Sequence, residues 1–134
     1  MDFEALEIGQ SASFEKTVTE ADIVLFAGVT GDTNPAHLSE DFAAGTMFKT
    51  RIAHGMLSAG FISAVLGTKL PGPGTIYLGQ TLNFKAPVKI GDTVLTTVTI
   101  ESLDPKRRKA TFDCACRVGD TVVTQGTATV MLPK

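Results

Sequence analysis

Hydrophobic positions in the first half of the chain recur mainly at helical spacing. Residues 11–18 are the exception, because they alternate polar and apolar side chains and so predict a short first strand. Thr19 precedes a helical pattern in which Asp22 stands three residues on, as in a capping box, and Gly31 is placed to end the helix. Residues 52–70 are apolar on nearly every side. We therefore expect that segment to form a helix buried inside the protein.

From residue 75 onward the hydrophobic period changes to two, which predicts a series of strands. The alternating positions expected on buried faces are Ile76, Leu78, Leu82, Phe84, Val94, Val98, Ile100, Ala110, Phe112, Cys114, Cys116, Val118, Val122, Ala128 and Val130. Turn-forming residues separate the strands by short connections, which favour antiparallel neighbours. Helices followed by hairpin-linked strands predict an α+β domain in which the sheet curls around the apolar helix. No linker divides the chain, so we treat residues 1–134 as one domain.

The composition favours a globular domain without a nucleic-acid or membrane partner. Of the 134 residues, 43% are hydrophobic, which is enough to bury a sizeable core. A net charge of −2 gives no general attraction to nucleic acid or anionic membranes, and no stretch reaches the roughly 20 apolar residues of a membrane span. The N-terminal segment lacks the basic-then-apolar pattern of a signal peptide, so we expect a cytoplasmic location. Cys114 and Cys116 stand two residues apart in a predicted strand, which favours core packing over metal or redox chemistry.

Residues 31–37, GDTNPAH, contain one of only two histidines in the chain. A turn uses residues such as Gly, Asp, Asn and Pro, but it does not require a histidine. An aspartate and a histidine in one loop, here Asp32 and His37, can converge on a single water and move its protons. This segment is therefore the first candidate for catalysis.

The segment from Thr30 to Ala43 resembles the signature of the (R)-specific enoyl-CoA hydratases, which belong to the MaoC-like hydratase family with the hotdog fold. Ala36 is the one departure, since a larger aliphatic residue is usual there. The resemblance continues through residues 51–57 and 76–92 and into the closing strands, so it covers essentially the whole chain. It implies a curved antiparallel sheet wrapped around a central apolar helix, and a homodimer.

The resemblance implies hydration of a trans-2-enoyl-CoA to the (R)-3-hydroxyacyl-CoA, on short- to medium-chain acyl groups and without a metal or redox cofactor. Asp32 would act as a general base, and we expect partial burial to raise its pKa above the ordinary value of about 3.9. His37 would hold the same water and pass a proton toward carbon. Which of the two residues gives each proton is left open.

Three further residues have predicted roles around this pair. Asn34 is expected to fix the loop, or Asp32 within it, by hydrogen bonding. Gly55 stands at the start of the apolar helix, where a main-chain N–H can stabilise negative charge on the thioester oxygen and a side chain would crowd the thioester. His54 is expected to orient the site by donating to a main-chain carbonyl.

The acyl chain and the CoA group need binding surfaces as well. Ser63 and Leu66 lie three residues apart on one face of the apolar helix, downstream of Gly55, and we expect them to line the acyl-chain pocket. Lys85 stands beside the site in a predicted strand and is the expected contact for CoA. Residues 104–109, DPKRRK, are a second basic candidate for the CoA phosphates, although a solvated hairpin tip is the simpler explanation.

Other functions stay open at this point. The same residues could dehydrate a 3-hydroxyacyl thioester carried by an acyl-carrier protein, and hotdog thioesterases use a carboxylate to direct water at the carbonyl. A binding module without catalysis would not need the pair of Asp32 and His37. These two residues and His54 could also form a metal site of two histidines and one carboxylate, but nothing else in the sequence supports a metal.

Overall fold

One antiparallel sheet and four α-helices make up the computed structural model, which describes residues 1–134. The strands are β1 (Ser11–Thr17), β2 (Ile76–Gln80), β3 (Asn83–Phe84), β4 (Thr93–Asp104), β5 (Lys109–Val118) and β6 (Thr121–Met131). The helices are α1 (Glu20–Thr30), α2 (Pro35–Leu38), α3 (Glu40–Ala44) and α4 (Gly55–Thr68), with a short 3₁₀ helix at Phe3–Ala5. This order of helices and then hairpin-linked strands confirms the predicted α+β class.

The strands form one sheet in the order β1–β4–β5–β6–β2, and β3 also pairs with β6. Every pairing is antiparallel, as the short connections predict. α4 packs against β1, β4 and β5. The core joins α4 to the sheet, and its fully buried members include Val94, Val98 and Phe112. The predicted packing of one sheet against one apolar helix is therefore confirmed.

α4 begins three residues later than expected, at Gly55, and one side of it is open. Its buried side contributes Ser58, Phe61, Ile62, Val65 and Leu66. On the other side Gly60 and Ser63 are exposed, and Met56 keeps 56% of its surface exposed. The expectation of a helix buried on all sides is wrong for the single chain, because that side lines an open groove. None of the four helices is both long enough and apolar enough to cross a membrane.

The start and end of α1 follow from local side-chain chemistry. Thr19 Oγ1 accepts from the Asp22 N–H at 3.2 Å, and the Asp22 carboxylate accepts from the Thr19 N–H at 2.9 Å, which completes the predicted capping box. Lys16 donates to the same carboxylate at 2.6 Å, and this bond holds the pKa of Asp22 below its ordinary value. Gly31 ends the helix in the left-handed region, at φ 81°, where a side chain is disfavoured.

The alternation of side chains along β2 differs from the expected one. Ile76 and Leu78 are 41% and 46% exposed, and Tyr77 rather than either of them lines a cavity. A bulge in the pairing with β6 lies between Tyr77 and Gly79 and interrupts the period of two. The prediction that Ile76 and Leu78 lie on a buried face is therefore wrong for the single chain.

The alternation along β5 and β6 is confirmed except near one end. Cys114 and Cys116 are both buried, and burial raises the pKa of the Cys114 thiol to about 12. An irregularity in the pairing of β5 with β6 follows Cys116, and beyond it Val123 is buried in place of Val122. The two cysteines belong to the core, as predicted.

The main chain of Thr81 and Leu82 passes very close to Gly126 of β6. A Cβ atom at Gly126 would stand 1.7 Å from the main-chain oxygen of Thr81 and 2.6 Å from its carbonyl carbon. The Thr81 N–H donates to the Thr127 oxygen at 2.9 Å, and the Thr127 N–H donates to Thr81 Oγ1 at 3.1 Å. This crossing positions the segment that leads into β3.

We expect Gly126→Ala to lower the free energy of unfolding by about 3 kcal/mol, because main-chain atoms must move to admit the methyl group. Gly28→Ala in α1 is the matched control, since nothing lies within 4 Å of a Cβ atom there. The control should raise stability by about 0.5–1 kcal/mol, because alanine favours a helix over glycine. Urea denaturation followed by circular dichroism measures both. A Gly126→Ala protein as stable as the wild type would contradict the close crossing.

Candidate active site

Asp32 follows directly after the turn that ends α1. Its N–H donates to Thr30 Oγ1 at 3.2 Å, and its Oδ1 accepts from the Asn34 N–H at 3.3 Å. The residue is exposed, so the expected partial burial of Asp32 is wrong for the single chain. Asp32 lines both large cavities of the structure, which places it at their junction.

Asn34 caps the short helix that carries His37. Its Oδ1 accepts a hydrogen bond from the Ala36 N–H at 3.0 Å, and Pro35 occupies the first helical position. The side chain of Asn34 thus orders α2, while its main-chain N–H contacts the carboxylate of Asp32. Both contacts support the orienting role of Asn34, which stays a prediction.

His37 is held by its Nδ1 atom, which lies 2.7 Å from the main-chain oxygen of Ile52. Because a carbonyl oxygen only accepts hydrogen bonds, Nδ1 carries the proton and Nε2 of the neutral ring has none. His37 lines the same cavity as Asp32. Nε2 is therefore the His37 nitrogen that can exchange a proton with water.

Arg51 holds α2 against the first turn of α1. Its Nε donates to the main-chain oxygen of His37 at 2.7 Å, and its guanidinium bonds both carboxylate oxygens of Glu20 at 2.5 and 3.1 Å. The Arg51 side chain is only 12% exposed. The sequence alone suggested no role for Arg51. The only signal was its place at the start of residues 51–57, through which the family resemblance continues.

His54 lies immediately before α4 and links that helix to Asp32. Its Nε2 donates to the main-chain oxygen of Asp32 at 2.9 Å. The centroid of its ring lies 4.0 Å from that of His37 and 4.7 Å from that of Phe26. His54 is 2% exposed. Both histidines of the chain therefore lie in one stack beside Asp32.

The donor set of these residues does not suit a metal ion. The ligand atoms of Asp32, His37 and His54 lie within 4.8 Å of one another, as a metal triad requires. However, His37 Nδ1 and His54 Nε2 each direct a proton at a carbonyl oxygen, and His54 Nδ1 is fully buried. A metal needs an accessible lone pair from each imidazole. The arrangement favours proton exchange over metal binding.

The first of two cavities contains the pair and the expected CoA contact. It has a volume of about 480 Å³, and Asp32, His37, Gly55 and Lys85 all line it. Lys85 is exposed and takes part in none of the ion pairs of the structure. The fold thus brings together four residues that the sequence places up to 53 positions apart.

The second cavity is a groove of about 680 Å³ along the open side of α4. Ser63 lines it, and the groove meets the first cavity at Asp32, Met56 and Phe84. Leu66 lines neither cavity, because it is buried in the core. The structure therefore places Ser63, but not Leu66, at a surface open to an acyl chain. Phe84 is 54% exposed, so its expected place on a buried face is wrong for the single chain. The sequence suggested no role in the site for Met56 or Phe84, because apolar residues at such a junction resemble core residues.

The N-terminus of α4 offers two main-chain donors to the first cavity. Neither the Gly55 N–H nor the Met56 N–H bonds an acceptor of the chain, as is usual for the first turn of a helix. A Cβ atom at Gly55 would stand 2.8 Å from two ring atoms of Phe84. Close packing against the Phe84 ring is therefore a second reason for glycine at position 55. The sequence alone did not indicate this contact. The free donors support the predicted oxyanion role of Gly55.

The basic hairpin tip at residues 104–109 lines neither of these cavities. Arg107 lies 3.8 Å from the Asp104 carboxylate, and Arg108 pairs with Glu4 at 2.6 Å. These charges are partly neutralised within the chain. The structure therefore favours Lys85 over the tip as a phosphate contact.

Comparison with known proteins adds to this geometry. Residues 3–121 match the family described as the MaoC-like domain. The chain belongs to that family. An (R)-specific enoyl-CoA hydratase of Rhodospirillum rubrum is 63% identical to this MaoC-like domain over 131 residues, which cover 98% of this chain and 91% of that protein. A 3-hydroxybutyryl-CoA dehydratase of Methylorubrum extorquens is 57% identical, with 98% and 84% covered.

A solved structure has the same fold as this MaoC-like domain. The (R)-hydratase from Aeromonas caviae involved in PHA biosynthesis superposes with a TM-score of 0.94 at 42% identity, covering 97% of this chain and 99% of that one. The predicted hotdog fold and the family resemblance are therefore confirmed. The roles of individual side chains stay predictions.

Proposed function

We propose that this MaoC-like domain hydrates trans-2-enoyl-CoA to (R)-3-hydroxyacyl-CoA with short- to medium-chain acyl groups. The main support is that Asp32 and His37 line one cavity with ligand atoms within 4.8 Å of each other, beside the free N–H of Gly55. The relatives at 63% and 57% identity are named as an enoyl-CoA hydratase and a 3-hydroxybutyryl-CoA dehydratase, and hydration and dehydration are two directions of one reaction. The (R) configuration is taken from the name of the hydratase.

The reaction requires the pair to take one proton from water and to return one proton to carbon. The water oxygen forms a bond to C3 of the enoyl group while its proton passes to the pair, and the π electrons move through C2 toward the thioester oxygen. The Gly55 N–H stabilises the negative charge on that oxygen, supported by the dipole of α4. A proton from the pair then reaches C2. Water is added overall, and Asp32 and His37 regain their starting state.

The groove along α4 is the proposed site of the acyl chain. It adjoins Asp32, so an enoyl group at the pair can extend its chain directly past Ser63. The lining is largely apolar, and apolar surface favours a hydrocarbon chain. Leu66 is left out of this pocket, since it lies in the core.

Asp32→Asn and His37→Gln should each slow the loss of enoyl-thioester absorbance with crotonyl-CoA by about 100-fold or more. Asp41→Asn is the control, because Asp41 is an exposed aspartate of α3 that lines neither cavity. That variant should keep the wild-type rate. Wild-type rates in both test variants would contradict the proposed catalytic roles of Asp32 and His37. Release of free thiol would instead identify a thioesterase, and activity confined to acyl-carrier-protein thioesters would identify a different carrier.

Lys85 is the proposed contact for the CoA phosphates. It borders the cavity that holds the pair, and no carboxylate of the chain neutralises it. The reacting thioester and the phosphates of CoA lie at opposite ends of the pantetheine arm. Lys85 and Asp32 line the same cavity, so the proposal places the phosphates at Lys85 and the thioester beside Asp32.

We expect Lys85→Met to raise the KM for crotonyl-CoA about 5-fold without changing kcat, as an exposed ion pair contributes about 1 kcal/mol. The KM for the crotonyl thioester of N-acetylcysteamine, which has no phosphate, should not change. Lys106→Met at the hairpin tip is the matched control. A larger KM effect for Lys106→Met than for Lys85→Met would place the phosphates at the tip.

We also propose that residues 1–134 act as one hotdog domain within a homodimer. β2 forms an edge of the sheet and carries the exposed side chains of Ile76 and Leu78, and unpaired edges favour association. The groove along α4 is open beside β2, since Tyr77 and Gln80 line it. A second copy paired at β2 would cover that opening. The expected cytoplasmic location stays a prediction.

Sedimentation equilibrium should give twice the chain mass for the wild type and a monomer for Leu78→Lys, because a lysine charge on an edge strand opposes pairing. Leu95→Lys is the matched control, because Leu95 is an apolar residue of β4, away from that edge, that is 40% exposed. The control should remain a dimer. A monomeric wild type would contradict the proposed assembly.

A further inference from the structure

His54 Nδ1 is the only buried side-chain nitrogen or oxygen of the chain without a hydrogen-bond partner. Buried polar groups are nearly always paired, so an unpaired one at the centre of a site requires a physical reason. The other nitrogen of the same ring is fully engaged, since Nε2 bonds the Asp32 oxygen at 2.9 Å. The reason therefore concerns which nitrogen of the ring carries the proton.

The bond to Asp32 selects one form of His54. Its acceptor is a carbonyl oxygen, so Nε2 must carry the proton, and Nδ1 of the neutral ring carries a lone pair. The surroundings therefore select the Nε2–H tautomer of the His54 ring.

His37 has the opposite form. Its Nδ1 carries the proton, because it donates to the Ile52 oxygen at 2.7 Å. The two rings lie 4.0 Å apart with 33° between their planes. The two rings therefore lie against each other as opposite tautomers.

The charged groups around this stack are few. Asp32 and His37 face His54 from the loop after α1 and from α2, and Phe26 of α1 covers its ring without a charge. Arg51 is bonded to the main chain of His37, and Glu20 neutralises its guanidinium. No other charged side chain of the chain is bonded to these three groups.

We infer that His54 is a positioning residue, present as the Nε2–H tautomer, which holds Asp32 by its main-chain oxygen and places its ring against that of His37. The kinetic consequence rests on the proposed function. The ring forms do not, so they can be tested separately.

Nitrogen-15 NMR of the ring atoms tests the ring forms directly, and only two histidines contribute signals. At a pH of about 7.5, above the ordinary histidine pKa of about 6.5, one ring should show the Nδ1–H pattern and the other the Nε2–H pattern. His37→Gln should remove the first and keep the second. Two rings of the same form would overturn the inference whether or not the protein hydrates crotonyl-CoA.

Two substitutions at His54 then separate the hydrogen bond from the ring. His54→Phe keeps a ring beside His37 but has no donor for Asp32, and kcat should fall about 100-fold with KM unchanged, as for a misplaced catalytic group. His54→Gln keeps a donor and should recover at least about 10-fold of that loss. A glutamine variant no faster than the phenylalanine variant would overturn the positioning role. Should His54→Phe not fold, the NMR result on the wild type decides the inference.

Discussion

A hydrogen bond from His54 Nε2 to the main-chain oxygen of Asp32 joins the two segments that carry the site. One segment leaves α1 through the turn at Gly31, and the other enters α4. The bond from His37 Nδ1 to the main-chain oxygen of Ile52 joins the same segments at a second point. The positions of the carboxylate, the imidazole and the oxyanion donor relative to one another therefore depend on these bonds.

The rest of the fold makes that link possible. β1 and β4 hold the start of α1 at one edge of the sheet, and α4 crosses the sheet with its buried side fixed in the core. Arg51 then ties α2 to α1, so the short helix that carries His37 has little freedom of its own. A rigid sheet thus supports a site that is built almost entirely from loops and helix ends, an arrangement common among enzymes.

Local patterns predicted much of this structure, and long-range contacts account for the errors. The capping box at Thr19, the burial of Cys114 and the α+β order follow from residues close in sequence. The exposure of Leu78 accompanies a bulge in the pairing of β2 with β6. The role of Arg51 depends on Glu20, which lies 31 positions away in the sequence. The local hydrophobic pattern indicates neither feature. The motif predicted that Asp32 and His37 act together, but not that the single chain leaves Asp32 exposed.

The contact between Gly55 and Phe84 couples two positions that are 29 residues apart. A methyl group at 55 would meet the Phe84 ring at 2.8 Å, while that ring also forms the boundary between the two cavities. A smaller side chain at position 84 would widen the opening between the two cavities. It would also remove the steric reason for glycine at position 55. A side chain at position 55 should therefore be tolerated more readily when position 84 also carries a smaller residue. Changes in the substrates that this fold accepts should arise from such paired substitutions.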